Sequence, residues 1–584
     1  MTTAPNSPSP AVGESAESGG TAHSDLVTQL FAEALARFSG AEKSPVALPE
    51  APGEMAAVPS LSSLPAEGTP SALPPVHPSV QPAAPKLDEP KSKNAPAPTP
   101  SGAHSPGSAD SYAFGEPRCN GTYRPQGNRP ETKTTNASPL LAVPGLESAP
   151  APEYYFLRGA NASGKSPAAC QSYPKTSTPV PQFDLEGVRR DFPALHQLVN
   201  GKPLIWLDNA ATTHKPQVVI DATSQFYGRD NSNIHRAAHT LAARSTELFE
   251  AGREKIRKFL GATDAKEIVL VRGTTEAINL VAQSYGRKNI GAGDEIIVSE
   301  LEHHANIVPW QLLAEQVGAT LRVIPINDRG ELILEEYVKL LGPRTKFVSV
   351  AHVSNSLGTV NPVEQIIALA HARGVPVLVD GAQSTPHLPV NVTALDADFY
   401  AFSGHKIFGP TGIGALYGKS ALLETMPPWQ GGGHMIKDVR FEKTIYQHAP
   451  EKFEAGTPDI AGVVGLGAAI DYLFKVGIPA IAAYEHALLE YATQALATIP
   501  GLRPIGTAAS KASVLSFVIP GVANESIARQ LDQRGIAVRA GHHCAQPAIR
   551  HFGLESSVRP SLAFYNTREE IDALVQALRI LKRS

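Results

Sequence analysis

Two residues that could do chemistry together follow strand-like runs of the sequence. Lys406 closes the segment Ser-Gly-His-Lys at 403–406, directly after the apolar run 397–402. Asp380 follows the run 375–379, whose side chains are typical of a buried strand. A lysine amine that is partly desolvated at a strand end has a lowered pKa, and its lone pair can condense with an aldehyde. Pyridoxal phosphate needs such a lysine, together with an aspartate that keeps its pyridine nitrogen protonated.

The C-terminal part of the chain contributes a cysteine in a polar loop. Cys544 follows two histidines in the segment Gly-His-His-Cys-Ala-Gln-Pro at 541–547, and Arg539 and Arg559 stand on either side of it. A buried cysteine usually packs as a small apolar side chain. A cysteine in a polar loop beside histidines is better interpreted as a nucleophile, which reacts as the thiolate.

These segments together resemble the group II cysteine desulfurases of the SufS type. The resemblance rests on Asp-Gly-Ala-Gln at 380–383, Ser-Gly-His-Lys at 403–406 and Arg-Ala-Gly-His-His-Cys at 539–544, and it runs from about Phe183 to the C-terminus. It implies a homodimeric enzyme that uses pyridoxal 5′-phosphate to convert L-cysteine to L-alanine and leaves a persulfide on Cys544. The catalytic residues would be Lys406, Cys544 and His303. A sulfur-acceptor protein, a small thiol or a stored sulfur pool would then receive the sulfur.

The same resemblance assigns residues to the cofactor. Thr274 and Thr275 follow a strand-like run and open a predicted helix, where N–H groups and hydroxyls suit a phosphate; an ordinary helix cap is the alternative interpretation. In the family, the first histidine of the pair at 303–304 stacks on the cofactor ring, and a residue of the neighbouring subunit completes the phosphate site. The predicted cofactor-binding residues are Thr274, Thr275, His303, Asp380, Gln383, Ser403, His405, Lys406 and Thr457.

A second set of polar residues is predicted to bind the substrate. Arg559 matches the family's fork for the substrate α-carboxylate, a bidentate pairing that lysine could not replace. The segment around Arg236 approaches the neighbouring subunit's site in the family; without that match, a surface charge would be the simpler interpretation. The predicted substrate-binding residues are Asn355, Arg539, Arg559 and Arg236. No metal site is predicted, because adjacent histidines such as those at 303–304 cannot both face one ion on a regular element.

The region beyond Phe183 alternates short Val/Ile/Leu runs with stretches of helical length. The runs lie at 267–271, 295–298, 347–350 and 375–379. This alternation predicts an α/β fold with a mainly parallel sheet covered by helices, which binds ligands at the C-terminal strand ends. The resemblance implies fold type I of the pyridoxal-phosphate enzymes. It suggests a large domain at 203–464 and a smaller α+β domain made from 183–202 and 465–584.

The first 182 residues have a different composition, rich in Pro, Ala, Ser, Gly and Thr. Such a sequence has too few apolar side chains to offset the entropy of ordering, so we predict a disordered region. Islands at 24–38, 112–114 and 154–157 interrupt it, and the first has the spacing of a helix with one apolar face. They are typical of partner-binding motifs, although docking onto the protein's own catalytic domain is the alternative. A long extension of this kind resembles the cargo-loading domain of cysteine desulfurases packaged inside encapsulin shells.

Composition limits the remaining possibilities. The 584 residues carry a net charge of −4, which gives no electrostatic reason to expect nucleic acid or an anionic membrane as a partner. Only 3 cysteines occur, as expected in a reducing compartment. The sequence predicts neither a signal peptide nor a transmembrane span. We therefore expect a cytoplasmic protein, inside an encapsulin nanocompartment if the extension is a cargo-loading domain.

Three other functions are compatible with these residues. The enzyme could supply sulfur for iron–sulfur cluster assembly without encapsulation. It could instead be a selenocysteine lyase or an epimerase that uses the same cofactor. The last alternative is a non-catalytic scaffold whose extension recruits partners. Loss of Cys544 would separate cysteine desulfuration from selenocysteine cleavage, because only the former needs a protein thiol to accept sulfur.

Overall fold

The structure, a computed structural model, describes residues 184–235 and 238–581. The predicted extension at 1–182 and Arg236 lie outside these residues. The helices are α1 Leu185–Arg190, α2 Gln217–Gln225, α3 Thr240–Leu260, α4 Thr274–Val281, α5 Arg287–Asn289, α6 Val308–Val317, α7 Leu334–Leu340, α8 Val363–His371, α9 Ser420–Thr425, α10 Ile460–Val476, α11 Ile478–Ala497, α12 Asn524–Asp532, α13 Gln546–His551 and α14 Arg568–Arg579. The strands are β1 Leu198–Val199, β2 Lys202–Pro203, β3 Ile205–Trp206, β4 Ile268–Val271, β5 Glu295–Ser299, β6 Thr320–Ile324, β7 Thr345–Ala351, β8 Val377–Asp380, β9 Phe399–Ser403, β10 Gly414–Gly418, β11 Ile436–Val439, β12 Thr444–Tyr446, β13 Arg503–Ile505, β14 Ser516–Val518, β15 Ile536–Ala537, β16 Arg539–Gly541 and β17 Ser557–Arg559.

Seven strands form one sheet in the order β4-β10-β9-β8-β7-β5-β6. Neighbours from β6 to β9 pair in parallel, and β10 runs antiparallel to both β9 and β4. The inner strands are buried along almost their whole length, as expected for a sheet covered on both faces. The predicted strands correspond to β4, β5, β7 and β8. The predicted α/β class, fold type I with a mostly parallel sheet, is thus confirmed.

The register brings the C-terminal ends of these strands to one edge. Asp380 pairs with Ala351 of β7 on one side and with Ala401 of β9 on the other. Gly414 of β10 then lies opposite both Ser403 of β9 and Val271 of β4. A Cβ at Gly414 would come within 2.4 Å of a backbone oxygen, so the strands approach this closely only because that residue is glycine.

The two faces of this sheet bury separate apolar clusters. Successive residues of a strand point to opposite faces, so Val377 and Val379 join one cluster while Leu378 joins the other. The first cluster is completed by α3 and α10, and the second by α4 and by Trp310 of α6. Both layers of helices therefore anchor the strands whose ends carry the candidate site.

A smaller four-stranded antiparallel sheet, β13-β14-β17-β16, lies in the C-terminal part. It shares an apolar cluster with α11, α12 and α14. The segment from α1 to β3 joins this part, because β3 pairs in parallel with β15 and Arg189 forms a 2.9 Å ion pair with Glu570. The exact domain boundaries given above stay a prediction.

The helices α10 and α11 are both apolar and meet at an angle of 74°. α10 is buried along most of its length and packs against α2 and α3. In the described part of the chain, no single helix is long and apolar enough to cross a membrane, although this bent pair would meet the length and composition criteria jointly.

A half-buried ionic cluster fastens the start of β9 to α8. Asp398 accepts hydrogen bonds from His371 (2.7 Å) and from the N–H of Val377 (2.7 Å), and it pairs with Lys419 at 2.9 Å. Burial opposes ionisation of Asp398, but His371 and Lys419 outweigh it and hold its pKa below the usual 3.8. Burial also disfavours the charged form of His371, yet Asp398 and Asp396 raise its pKa above 6.5.

We expect Asp398→Asn to lower the free energy of unfolding by about 2–3 kcal/mol at about pH 6, because charge-assisted hydrogen bonds are lost. The pKa of His371 is raised in the folded state. Its stabilising charge is therefore present below pH 6.5 and lost as the pH rises through the folded value. The loss of stability should consequently be smaller at about pH 9. Urea denaturation at both pH values measures the free energy of unfolding of the variant and of the parent protein.

Asp438→Asn is the matched control, because it removes an exposed ion pair with Arg440. Such a pair contributes at most about 0.5–1 kcal/mol. Equal losses at the two pH values for the Asp398 variant would contradict a role of charged His371.

Candidate active site

A cavity of ≈190 Å³ lies beyond the strand ends of the large sheet. Twelve of the fourteen residues assigned from the sequence line it: Thr274, Thr275, His303, Asn355, Asp380, Gln383, Ser403, His405, Lys406, Arg539, Cys544 and Arg559. Thr457 lines a different cavity of ≈490 Å³, and Arg236 is outside the described residues. The contributions of Thr457 and Arg236 to a neighbouring subunit's site stay predictions.

Lys406 and Asp380 stand at the ends of neighbouring strands. β8 ends at Asp380, and β9 ends just before the short 3₁₀ turn Gly404–Lys406. Desolvation lowers the pKa of Lys406 to about 8, although the Asp380 carboxylate opposes the change. Desolvation also raises the pKa of Asp380, against the N–H of Ala382 (2.9 Å) and the charge of Lys406. About a tenth of the amine is therefore uncharged at pH 7, far more than for an ordinary lysine, and the uncharged amine is the form that captures an aldehyde.

The N-terminus of α4 lies beside the end of β9. The N–H of Thr274 donates to Ser403 Oγ (2.9 Å), and the two hydroxyl oxygens are also 2.9 Å apart. The preceding Gly273 has φ +150°, and a Cβ there would lie 3.0 Å from Ser403 Oγ. Glycine thus allows the close approach. Backbone N–H groups and hydroxyls at a helix start form a cradle for an anion.

The loop 207–215 supports the turn that carries Lys406. The carbonyl of His405 accepts hydrogen bonds from the N–H of Thr213 and from Lys215 Nζ, each at 3.1 Å. Gln383 Nε2 donates to the carbonyl of Ala210 in the same loop (2.6 Å). Desolvation, aided by Lys406 and Lys215, lowers the pKa of His405 to about 4, so this imidazole is neutral. The supporting role of Lys215 was not predicted.

His303 has a defined protonation state. The N–H of Ala305 donates to its Nδ1 at 3.0 Å. Desolvation, together with the charges of Lys406, His304 and Arg559, lowers the pKa of His303 to about 3. The ring is therefore neutral at physiological pH, with Nδ1 as an acceptor and the proton on Nε2.

A carboxylate that was not predicted holds both arginines of the site. Asp208 pairs with Arg559 through Oδ1 (2.9 Å) and with Arg539 through Oδ2 (3.1 Å). Arg559 is 1% exposed and also donates from Nη1 to the carbonyl of Asn355 (2.9 Å), while its Nε has no partner among the described residues. A buried arginine requires an acidic partner, so the assignment of Arg559 to the site already implied that a carboxylate lies beside it. Because 351 residues separate Asp208 from Arg559, only the fold identifies the partner.

Cys544 stands in a loop with unusual backbone geometry. Both His543 (φ +55°) and Cys544 (φ +54°) occupy the left-handed region, at a cost of about 1–3 kcal/mol each. Three hydrogen bonds hold them: Asn355 Nδ2 to the carbonyl of His543 (2.7 Å), the N–H of His304 to the carbonyl of Cys544 (2.7 Å), and His543 Nε2 with Ser557 Oγ (2.9 Å). The thiol is partly exposed and lines the same cavity as Lys406.

These residues fit pyridoxal 5′-phosphate. The amine and carboxylate of Lys406 and Asp380 share one end of the cavity with the anion cradle at Thr274. The buried Oδ1 of Asn355 and Nε of Arg559 have no partner within the described chain, so each can bind a polar group of a ligand. The cofactor, once bound, supplies an electron sink for bonds at the amino-acid carbon.

Comparison with known proteins gives consistent matches. A profile of the aminotransferase class-V family matches residues 205–574. A cysteine desulfurase of Synechococcus elongatus is 62% identical over 397 residues, which are 68% of this chain and 63% of the relative. Among solved structures, the cysteine desulfurase CsdA of Escherichia coli has a TM-score of 0.64 and 44% identity, and the match covers 68% of this chain and 98% of that one.

One relative also matches beyond the described residues. A probable cysteine desulfurase of Mycolicibacterium paratuberculosis is 56% identical over 457 residues, 76% of this chain and 64% of the relative. This is longer than the stretch from residue 184 to the C-terminus, so the match extends into the first 183 residues. The chain spans a little under two thirds of the length of both this relative and the one from Synechococcus.

We expect the cofactor-free protein to capture pyridoxal 5′-phosphate faster as the pH rises, with a midpoint near the Lys406 pKa of about 8. The reason is that only the uncharged amine attacks an aldehyde. Asp380→Asn should move the midpoint to lower pH, because the carboxylate raises the lysine pKa. Arg539→Gln should move it to higher pH, because the guanidinium lowers that pKa. Stopped-flow absorbance in the visible range follows the capture.

Lys406→Ala serves as the blank and should develop no visible band. A flat pH profile, or shifts of the same sign in the Asp380 and Arg539 variants, would contradict the electrostatic account.

Proposed function

The chain belongs to the aminotransferase class-V family and, within it, to the cysteine desulfurases, and from that premise we propose that it converts L-cysteine to L-alanine and keeps the sulfur as a persulfide on Cys544. One observation carries the proposal: the thiol of Cys544 lines the same cavity as Lys406 and Asp380. A nucleophilic thiol beside a site for pyridoxal 5′-phosphate is the arrangement that sulfur abstraction from an amino acid requires. The cysteine loop and the segments at 380–383 and 403–406 support the group II, SufS-type, assignment.

The arginines of the site supply the binding energy for the amino acid. The substrate α-carboxylate pairs with Arg559, whose Nε has no partner among the described residues, and Arg539 adds a second positive charge at the rim. Asp208 keeps both guanidinium groups oriented before substrate arrives. Such preorganisation reduces the entropy lost on binding. Asn355 offers its free Oδ1 to the substrate amine or to a polar group of the cofactor.

Two groups are suited to move protons. Lys406, with a pKa of about 8, can both accept and release a proton at Nζ near neutral pH. His303 is neutral and carries its proton on Nε2 while the N–H of Ala305 fixes Nδ1.

Sulfur transfer then uses the chain's own thiolate. Cys544 Sγ attacks the sulfur of L-cysteine, an S–S bond forms, and the substrate C–S bond breaks. The electron pair of the broken C–S bond stays with the carbon, which becomes the methyl group of L-alanine after protonation. The persulfide remains on a partly exposed loop, where a small thiol, an acceptor protein or a growing sulfur pool can reach it. Division of the transfer into two displacements lowers each barrier.

The active enzyme in this proposal is a homodimer, as is typical of the family. Thr457 does not line the cavity that contains Lys406 of its own chain. It lines a second cavity of ≈490 Å³, together with Trp429 and Phe453. A contact of Thr457 with the partner's cofactor phosphate would explain its position. Arg236 would likewise reach the partner's substrate.

We expect Cys544→Ala to lower alanine and sulfide production from L-cysteine at least about a hundredfold, because the sulfur acceptor is removed. Lys406 should still capture the cofactor in this variant. Alanine formation with L-cysteine and with L-selenocysteine, measured side by side, tests this. Retained cleavage of selenocysteine is compatible with the proposal; retained desulfuration of cysteine would overturn it and favour a lyase that needs no protein thiol.

We further propose that residues 1–182 load the enzyme into an encapsulin shell in the cytoplasm. The Pro/Ala/Ser-rich composition and the helical island at 24–38 support a tethered segment with a docking motif. The match to the Mycolicibacterium relative extends into this region, which supports a role shared between the two chains. Sulfur abstracted inside a shell would accumulate there. Without a shell, the same persulfide would serve iron–sulfur cluster assembly on a soluble scaffold.

Co-expression with an encapsulin shell protein tests this part. The full chain should co-purify with shells, and a chain that lacks residues 1–182 should stay outside while it keeps desulfurase activity. A variant with Leu30 and Phe31 both changed to Asp should load poorly if the apolar face of the island docks. Packaging of the truncated chain would refute the loading role and leave the catalytic proposal untouched.

A further inference from the structure

We propose that His304, His542 and Cys544 form a zinc-binding site at the mouth of the catalytic cavity. One ligand atom of each residue lies within 4.8 Å of the other two. The sequence predicts no metal site on the adjacent pair His303 and His304. The fold, however, brings His304 beside the loop that carries His542, 238 positions further along the chain. The binding site stands apart from the proposed function; only its inhibitory consequence rests on that function.

Backbone N–H groups of the cysteine loop hold both imidazole rings beside it. The N–H of Cys544 donates to His542 Nδ1 (3.1 Å), and the N–H of Gln546 donates to His304 Nε2 (3.2 Å). The ring centroids are 5.5 Å apart with an interplanar angle of 31°. A 2.7 Å bond from the N–H of His304 to the carbonyl of Cys544 keeps the two segments in register.

The ligand set matches the preference of Zn²⁺. This ion binds cysteine sulfur and histidine nitrogen in a tetrahedron whose ligand atoms are about 3.5 Å apart. Each pair of ligand atoms must therefore approach by at most about 1.3 Å, and the hydrogen bonds to the rings, of 3.1 and 3.2 Å, are exchanged for metal bonds. Cys544 binds as the thiolate, and its proton passes to solvent.

The site has an open fourth position. Three protein ligands leave one tetrahedral position for water or another small ligand. Cys544 is partly exposed and His542 is exposed, so the ion can enter from solvent. Bound zinc occupies the lone pair that attacks the substrate sulfur, and it therefore blocks sulfur transfer without displacing the cofactor from Lys406.

The test uses the dimeric, cofactor-loaded full chain with Cys119→Ser and Cys170→Ser, so that Cys544 is the only thiol. Competition with a chromophoric zinc chelator in the absence of L-cysteine should give one Zn²⁺ per chain. His542→Ala and His304→Ala should each weaken binding at least about tenfold, and Cys544→Ser should do the same. His486→Ala, which removes an exposed histidine on α11, is the matched control and should not change the affinity.

Two further measurements keep the inference falsifiable. Zn²⁺ should slow alkylation of Cys544 by iodoacetamide in the parent protein at least about tenfold, and His542→Ala should abolish this protection. Because His542 is exposed, its replacement is a fair test even if His304→Ala fails to fold. Parental affinity in the His542 variant, or stoichiometric zinc with unprotected Cys544, would overturn the site. Failure of desulfuration itself would leave the binding result unaffected, so the two proposals are distinguishable.

Discussion

The site depends on the parallel register that ends β7, β8 and β9 at a common edge. This register sets Asp380 between Ala351 and Ala401 and leads β9 directly into the turn that carries Lys406. Desolvation at that edge lowers the pKa of the Lys406 amine to about 8 and raises the pKa of the Asp380 carboxyl group. The reactivity of the amine is therefore a property of the sheet as a whole.

A second constraint is the sharing of Asp208 between two arginines. The carboxylate of Asp208, which follows β3, meets Arg539 of β16 and Arg559 of β17, so an early and a late part of the folded region converge on the cavity. Removal of that carboxylate would leave buried positive charge unpaired, a situation that costs several kcal/mol. The ion pairs of Asp208 thus orient the two arginines and also join distant parts of the chain.

The strands, the fold class and most cavity-lining residues could be predicted because their signals are local. Apolar runs mark β4, β5, β7 and β8, and a lysine or aspartate directly after such a run stands at a strand end. Partnerships between distant segments could not be predicted, since Asp208 and Arg559, or His304 and Cys544, meet only through the path of the chain. Thr457 illustrates another limit: it was assigned through the family resemblance alone, and in the single chain it lines a different cavity from Lys406.

One short chain of hydrogen bonds joins Arg559 to the loop that carries Cys544. Arg559 donates to the carbonyl of Asn355, whose amide in turn donates to the carbonyl of His543, the residue before Cys544. The backbone of that loop is held in the left-handed region, which costs free energy. A change in the hydrogen bond from Asn355 would therefore shift the loop. In the proposed mechanism, a ligand on Arg559 and the position of the Cys544 thiol would be coupled through Asn355, and by reciprocity a persulfide on Cys544 would alter affinity for the next amino acid.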